Sequence, residues 1–258
     1  MTDRLHVETS GKVATVRLDH PPLNAFDTAM RRALETAAGA LADASDVHAV
    51  VLYGGPRVFA AGADIKQLAG FSFEEVLGWN RALQKVFMRF AELPMPVVAA
   101  IDGYALGGGL ELALTADYRV ASPRAVLGQP EVLLGIIPGS GGTQRLARLI
   151  GPSRAKELLM TGRRVSAAEA LSLGLVDRVA DDPYAAATEY AQSLAAGPRF
   201  AIQAVKEAVD HGLDAPIATG LALERSLIAG LFATTDRDRG MASFLRDGPG
   251  KARFGDDA

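Results

Sequence analysis

The sequence predicts an α/β fold in which a core of alternating strands and helices precedes an all-helical carboxyl-terminal end. Two observations carry that expectation. Short apolar runs such as Ala49–Tyr53 and Val97–Ile101 alternate with amphipathic helical segments as far as residue 179, and from residue 183 onward only helical periodicity remains. At 258 residues the chain is long for one average domain and short for two, so a single core with an appendage is expected.

In chain order, residues 5–10 and 13–18 alternate apolar and polar side chains about Ser10-Gly11-Lys12, which predicts a β-hairpin. A loop over 20–24 leads to a helix over 28–42, capped by Asp27, with Met30, Ala33, Leu34, Ala37, Ala38 and Leu41 at helical spacing. The strand Ala49–Tyr53 runs into a strand-to-loop-to-helix passage, 54–66, that is poor in side chains. Ser72 and Glu75 form a capping box for a helix to about residue 93, and Pro94 and Pro96 set the entry into the strand Val97–Ile101. Short strands are expected at 118–121 and 125–128, then a glycine-rich loop, 136–143, and a helix to residue 150. Helices at 152–160 and 166–173 follow, the second capped by Ser166 with Glu169, and then a last strand at 176–179. Helices at 183–196, 200–211, 216–231 and 237–245 and a charged tail from Asp247 complete the chain.

The candidate chemistry lies between Val97 and Leu149. Three consecutive glycines, Gly107 to Gly109, come after the buried strand Val97–Ile101 and open an apolar helix expected over 110–116. Bare backbone at a helix amino terminus offers unpaired N–H groups and a positive dipole end, which suits an oxygen that becomes negative during a reaction. Glu111 follows three positions after Gly108 amid Leu110, Leu112, Ala113 and Leu114, so it is expected to be a buried carboxylate that needs a reason. Glu131 follows the Gln129-Pro130 turn; on its own it reads equally well as a turn residue. The glycines likewise read as tight packing, and Glu111 as a solvated side chain, if the two carboxylates do not meet. On helix propensity alone a side chain at Gly108 is tolerated, so Gly108→Val is expected to keep the fold while losing activity.

Several other chemistries lack their parts. Neither glycine cluster completes a dinucleotide or P-loop pattern, and His6, His20, His48 and His211 show no metal-ligand spacing. Ser140 lies outside any nucleophile elbow and reads as a loop residue. With no cysteine there is no disulfide, thiolate metal site or cysteine nucleophile, and the net charge of −3 leaves no footprint for nucleic acid or an anionic membrane. The amino terminus carries no apolar or arginine-rich leader and no stretch reaches membrane-spanning length, so a cytoplasmic protein is expected.

Three segments carry a resemblance: A-A-G-A-D-I-K at 60–66, G-Y-A-L-G-G-G-L-E at 103–111, and G-Q-P-E-V-L-L-G-I-I-P-G-S-G-G-T-Q-R-L at 128–146. They closely resemble the enoyl-CoA hydratase/isomerase (crotonase) family, and the similarity runs over essentially the whole chain. The resemblance implies a crotonase-like spiral of ββα units over residues 1–197, closed by an all-helical trimerisation region over 198–258, in homotrimers often paired as hexamers. The implied activity is that of an enoyl-CoA hydratase, adding water to a 2-trans-enoyl-CoA thioester in fatty-acid or related acyl-CoA degradation. The implied catalytic pair is Glu111 and Glu131, with the backbone N–H groups of Ala63 and Gly108 as the oxyanion hole. Coenzyme A contacts fall on Ala61, Ala63, Asp64, Ile65, Lys66, Arg57 and Lys251, and Gln129 and Gly139 organise the water and its surroundings. Pro21 stands where some relatives have a phosphate-contacting lysine. No cofactor or metal is implied, coenzyme A being part of the substrate. Alternatives are a Δ3,Δ2-enoyl-CoA isomerase or another crotonase-family acyl-CoA enzyme and, from a different class, a non-catalytic or RNA-binding member; both glutamates stand where true hydratases carry them.

Overall fold

A computed structural model describes residues 4–254; the first three residues and the end of the expected charged tail, 255–258, lie outside the described residues. The hairpin forms as expected from β1 (Leu5–Ser10) and β2 (Val13–Leu18), followed by α1 (Thr28–Asp43), whose first turn donates from Met30 N to Asp27 Oδ1 at 2.7 Å. The chain then alternates between two sheets. β3 (Ala49–Tyr53), β5 (Val97–Ile101) and β7 (Tyr118–Ala121) enter a six-stranded sheet of order β1-β2-β3-β5-β7-β10, with β10 at Arg178–Val179. β4 (Val58–Ala60), β6 (Tyr104–Leu106) and β8 (Val126–Gly128) each follow one of those strands and enter a four-stranded sheet completed by β9 (Arg164–Ser166). After each strand pair comes helix: α2 (Ile65–Leu68) and α3 (Phe73–Ala91), then α4 (Gly108–Ala113), then a 3-10 helix (Pro130–Leu134) with α5 (Gly142–Ile150) and α6 (Pro152–Thr161). This repeated strand, strand, helix order is the ββα spiral.

Both faces of the larger sheet are covered. Val50, Leu52, Val97, Ala99 and Ile101 pack toward α1 and α3, while Ala49, Val51, Val98, Ala100 and Val120 pack on the alanine face of α8 (Pro183–Ala195). Burial on both sides explains why β3 and β5 read as continuous apolar runs. After α7 (Ala167–Leu173) and α8, the chain continues as α9 (Arg199–Leu213), α10 (Ile217–Leu231) and α11 (Thr235–Asp247). α9 and α10 contain no buried residue, although Phe200, Val205, Val209, Ile217, Leu221 and Ile228 are all exposed. Lys206 ties α9 to the core, donating to Asp117 Oδ2 at 2.8 Å and to Met95 O at 3.3 Å. Among the described residues no single helix is long and apolar enough to cross a membrane; α10 and α11 reach that length and composition only together and are bent by 81° at their break.

The structure shifts several boundaries. The helix expected over 110–116 occupies Gly108–Ala113, so two of the three glycines are inside it. The expected last strand, 176–179, is reduced to Arg178–Val179, and the turn expected at Gln129-Pro130 opens a 3-10 helix. β6 and β9 were not expected: each has three residues, too few to show a period, and each is held by its neighbours in the smaller sheet.

Candidate active site

The site forms at the carboxyl ends of β4 and β6, which lie side by side and parallel. Beyond β4, Asn24 draws the loop after the hairpin onto the strand, donating to Gly54 O at 2.7 Å, Phe59 O at 3.0 Å and Val58 O at 3.3 Å. The loop then pairs with the strand extension through Ala61 N to Leu23 O, Phe26 N to Gly62 O and Asp64 N to Phe26 O, at 2.9–3.1 Å. Those bonds use the Gly62 carbonyl and the Asp64 N–H on either side of Ala63 and leave its own N–H without a backbone acceptor among the described residues. Gly108 N, the first residue of α4, is also without one, as expected at a helix start. The two segments touch, since a Cβ on Gly62 would lie 3.3 Å from Gly108 N. Two free N–H groups therefore stand at adjoining strand ends.

Each glycine of the triplet has its own constraint. Gly107 has φ +52°, and a Cβ there would meet Glu131 Oε1 at 2.8 Å, so the Glu131 carboxylate lies directly over the start of α4. A Cβ on Gly109 would fall 2.0 Å from the Ala60 carbonyl oxygen, so this residue serves the tight packing that the plainer reading proposed. A Cβ on Gly108 would press the ring of the fully buried Phe26 at 3.1 Å. That contact corrects the expectation that a side chain at Gly108 is harmless to the fold, because helix propensity ignores the neighbouring ring.

Glu111 is 2% exposed. Its Oε1 accepts from Ser140 N at 2.7 Å and Gly142 N at 2.8 Å, both from the loop that leads into α5. Burial raises its pKa, and the N–H groups of Gly142 and Ser140, with the Ser140 hydroxyl, pull it back toward the ionised form. Glu131 lacks such N–H donors from the loop. Burial pushes its pKa up to about 7, its own backbone N–H opposes this, and the charge of Glu111 raises it further. Glu131 Oε1 lies over Gly107, whose carbonyl oxygen accepts from Glu111 N at 2.9 Å, so both glutamates are carried to the start of α4. Gln129, 1% exposed, turns its amide nitrogen to Glu131 at 3.1 and 3.2 Å from the two carboxylate oxygens, the orientation that avoids oxygen against oxygen.

The structure thus brings together Glu111, Glu131, Ala63, Gly108, Gln129 and, through the loop, Gly139. Asp64 has a structural task, accepting from Lys66 N at 2.8 Å and Gln67 N at 3.3 Å to cap α2. Ile65 and Lys66 are exposed on that short helix, and Ala61, two residues before Ala63, is half-buried. Arg57 precedes β4, at the end of the strand away from Ala63, with an exposed side chain. Lys251 lines a carboxyl-terminal pocket with Arg239, Ala242, Ser243, Arg246, Ala252 and Arg253, none of them from the segments that carry the glutamates. Sequence reasoning missed the N–H groups of Ser140 and Gly142; the glycines at 141 and 142 opening a helix were the available signal. Among the described residues no three His, Asp or Glu side chains group to hold a metal.

The sequence profile of the enoyl-CoA hydratase/isomerase family matches residues 8–256. The chain belongs to that family. A probable enoyl-CoA hydratase of Rhizobium meliloti is 42% identical over 246 residues, covering 94% of this chain and 95% of the relative. The short-chain-enoyl-CoA hydratase of Clostridium acetobutylicum is 39% identical over 243 residues, with 93% of each chain covered. The crystal structure of an enoyl-CoA hydratase from Bacillus anthracis superposes with a TM-score of 0.91 at 38% identity, covering 94% of this chain and 96% of that one. The spiral described above is therefore the fold of this family.

Two outcomes are expected. Gly108→Val reduces activity by about a hundredfold or more, the scale of losing one oxyanion donor, and also lowers the melting temperature through overpacking on Phe26; a variant with wild-type turnover overturns the assignment of Gly108 N. For Glu131, the folded-state pKa of about 7 exceeds the ordinary 4.5, so the stability it contributes is present below the lower value and lost as pH rises through the higher. Glu131→Gln is therefore expected to raise the melting temperature at about pH 8.5 and to leave it nearly unchanged at about pH 5. An equal effect at both, read by calorimetry, contradicts the buried acid.

Proposed function

We propose that this chain catalyses the reversible hydration of a 2-trans-enoyl-CoA thioester to a 3-hydroxyacyl-CoA, with Glu111 and Glu131 as its acid–base pair. The observation that carries this reading is the pair of unequal carboxylates beside two free backbone N–H groups. The thioester oxygen sits between Ala63 N–H and Gly108 N–H, where the negative charge that develops on addition is stabilised by about 3 kcal/mol per donor. Glu111, held toward its ionised form by two N–H donors, takes a proton from water as the water oxygen bonds to C3. Glu131, with a pKa of about 7, gives its proton to C2, and the enolate collapses to the thioester. The cycle ends with the proton on Glu111 and the charge on Glu131, and exchange with solvent restores both. In the reverse direction the roles exchange. No cofactor takes part, because every proton and electron pair belongs to water, substrate or the two carboxyl groups.

The coenzyme A contacts at Ala61, Asp64, Ile65, Lys66, Arg57 and Lys251 rest on the family resemblance, as does a cytoplasmic setting in acyl-CoA degradation. The same reading places the chain in a homotrimer, paired as a hexamer. The exposed apolar faces of α9 and α10 support it, since a helix of such composition with no buried residue is unusual in an isolated chain.

Glu111→Gln and Glu131→Gln are each expected to lower kcat on crotonyl-CoA by about a hundredfold or more while leaving thioester binding nearly intact. The loss of absorbance from the conjugated thioester is the measurement. Wild-type protein that turns over no short or medium enoyl-CoA would falsify the hydratase reading, and isomerisation of a 3-enoyl-CoA in its place would favour the isomerase. For assembly, removal of residues 198–258 is expected to abolish the active trimer in sedimentation; a stable, active truncated monomer excludes that role.

A further inference from the structure

Glu111 is held by two N–H groups, and one of them has a partner behind it. Ser140 N–H belongs to the same peptide unit as the Gly139 carbonyl, and that carbonyl accepts from Gln84 Nε2 at 2.7 Å. Donor, peptide and carboxylate therefore form one unbroken line from Gln84 to Glu111 Oε1. An amide that accepts at its oxygen is a stronger donor at its nitrogen, by about 10–30% per bond. Asn80, four residues earlier on the same face of α3, reinforces the contact: a Cβ on Gly139 would meet its side-chain amide at 2.9–3.1 Å. α3 thus grips the loop at one of the two peptides that bind the Glu111 carboxylate.

We infer that Gln84 is a positioning residue for the hydration reaction, fixing Glu111 Oε1 through the Gly139–Ser140 peptide and favouring its ionised form. This rests on the assignment of Glu111 as the base. The other groups that face Glu111 are Gly142 N–H, the Ser140 hydroxyl and, electrostatically, Glu131. Arg145, the first cation of α5, is turned away toward Met88 Sδ at 3.4 Å and interacts with Asp210 and Glu92. The plainer role for Gln84 is a tether between α3 and the loop, whose loss lowers stability and nothing else. Since Gln84 is exposed, water replaces it in part, and a loss of a few fold is expected rather than the hundredfold of the carboxylates.

Gln84→Met keeps the side-chain length and removes the donor, and Gln84→Lys returns one. Two readings are taken on the full chain: kcat and KM with crotonyl-CoA, and the pH titration of the Ser140 amide resonance in protein labelled with 15N-serine. Gln84→Met is expected to lower kcat about three- to tenfold with KM within about twofold, and to move the titration midpoint up by a few tenths of a pH unit. Gln84→Lys is expected to restore kcat to within about twofold of wild type. A Gln84→Met protein with an unmoved Ser140 titration overturns the inference, as does a lowered melting temperature with unchanged kcat. If wild type hydrates no enoyl-CoA, the hydratase reading falls, while the Ser140 titration still decides whether the relay exists.

Discussion

The close approach of two backbones, Gly109 against the Ala60 carbonyl, is the constraint on which the site depends. With no room for a methyl group between them, α4 is seated against the end of β4, and the seat brings Gly108 N beside the strand extension that carries Ala63. The bonds of the Asn24 loop then engage the Gly62 carbonyl and the Asp64 N–H and leave Ala63 N–H without a backbone acceptor among the described residues. Both donors are thus unpaired for a structural reason rather than by local disorder: one is a helix start, the other lies between residues already paired. Such preorganised donors need no rearrangement when charge develops near them.

The same seating buries Glu111, and a buried carboxylate is costly unless it is hydrogen-bonded. The loop before α5 meets that need with two N–H groups, so Glu111 ionises more readily than its burial alone would allow. Glu131 sits over Gly107 on a 3-10 helix with no buried residue and keeps its proton nearer to neutrality. Two chemically identical side chains are thus given different tendencies to ionise by the number of backbone donors each meets, and the roles proposed for them rest on that difference.

What could be read from the sequence follows the range of the forces involved. The capping box of Ser72 and Glu75, the Asp27 cap and the apolar period of α1 are local, and each formed as expected. Glu111 was visible because a lone acid in an apolar helix contradicts its surroundings. Glu131 was ambiguous as a turn residue, and only the family resemblance singled it out. β6 and β9 were invisible because their partners, not their own residues, make them strands. The backbone donors of Ser140 and Gly142 were marked only indirectly, by the glycines that open α5, and an exposed glutamine such as Gln84 looks like any solvated helix position.

The unequal housing of the two carboxylates bears on how this scaffold can change its chemistry. Glu111 lies on a helix whose every residue is buried, and its removal leaves N–H groups in the interior without an acceptor. Glu131 is carried by a 3-10 helix with no buried residue and is followed by the exposed Val132, Leu133 and Leu134, so a polar replacement that still accepts from the Gln129 amide disturbs little of the packing around it. Evolutionary drift toward a new reaction therefore has a low-resistance entry at position 131 and a high barrier at position 111. On the roles proposed above, a lineage built on this frame can exchange its proton donor while keeping the same thioester site, and so sample new reactions without first losing the fold.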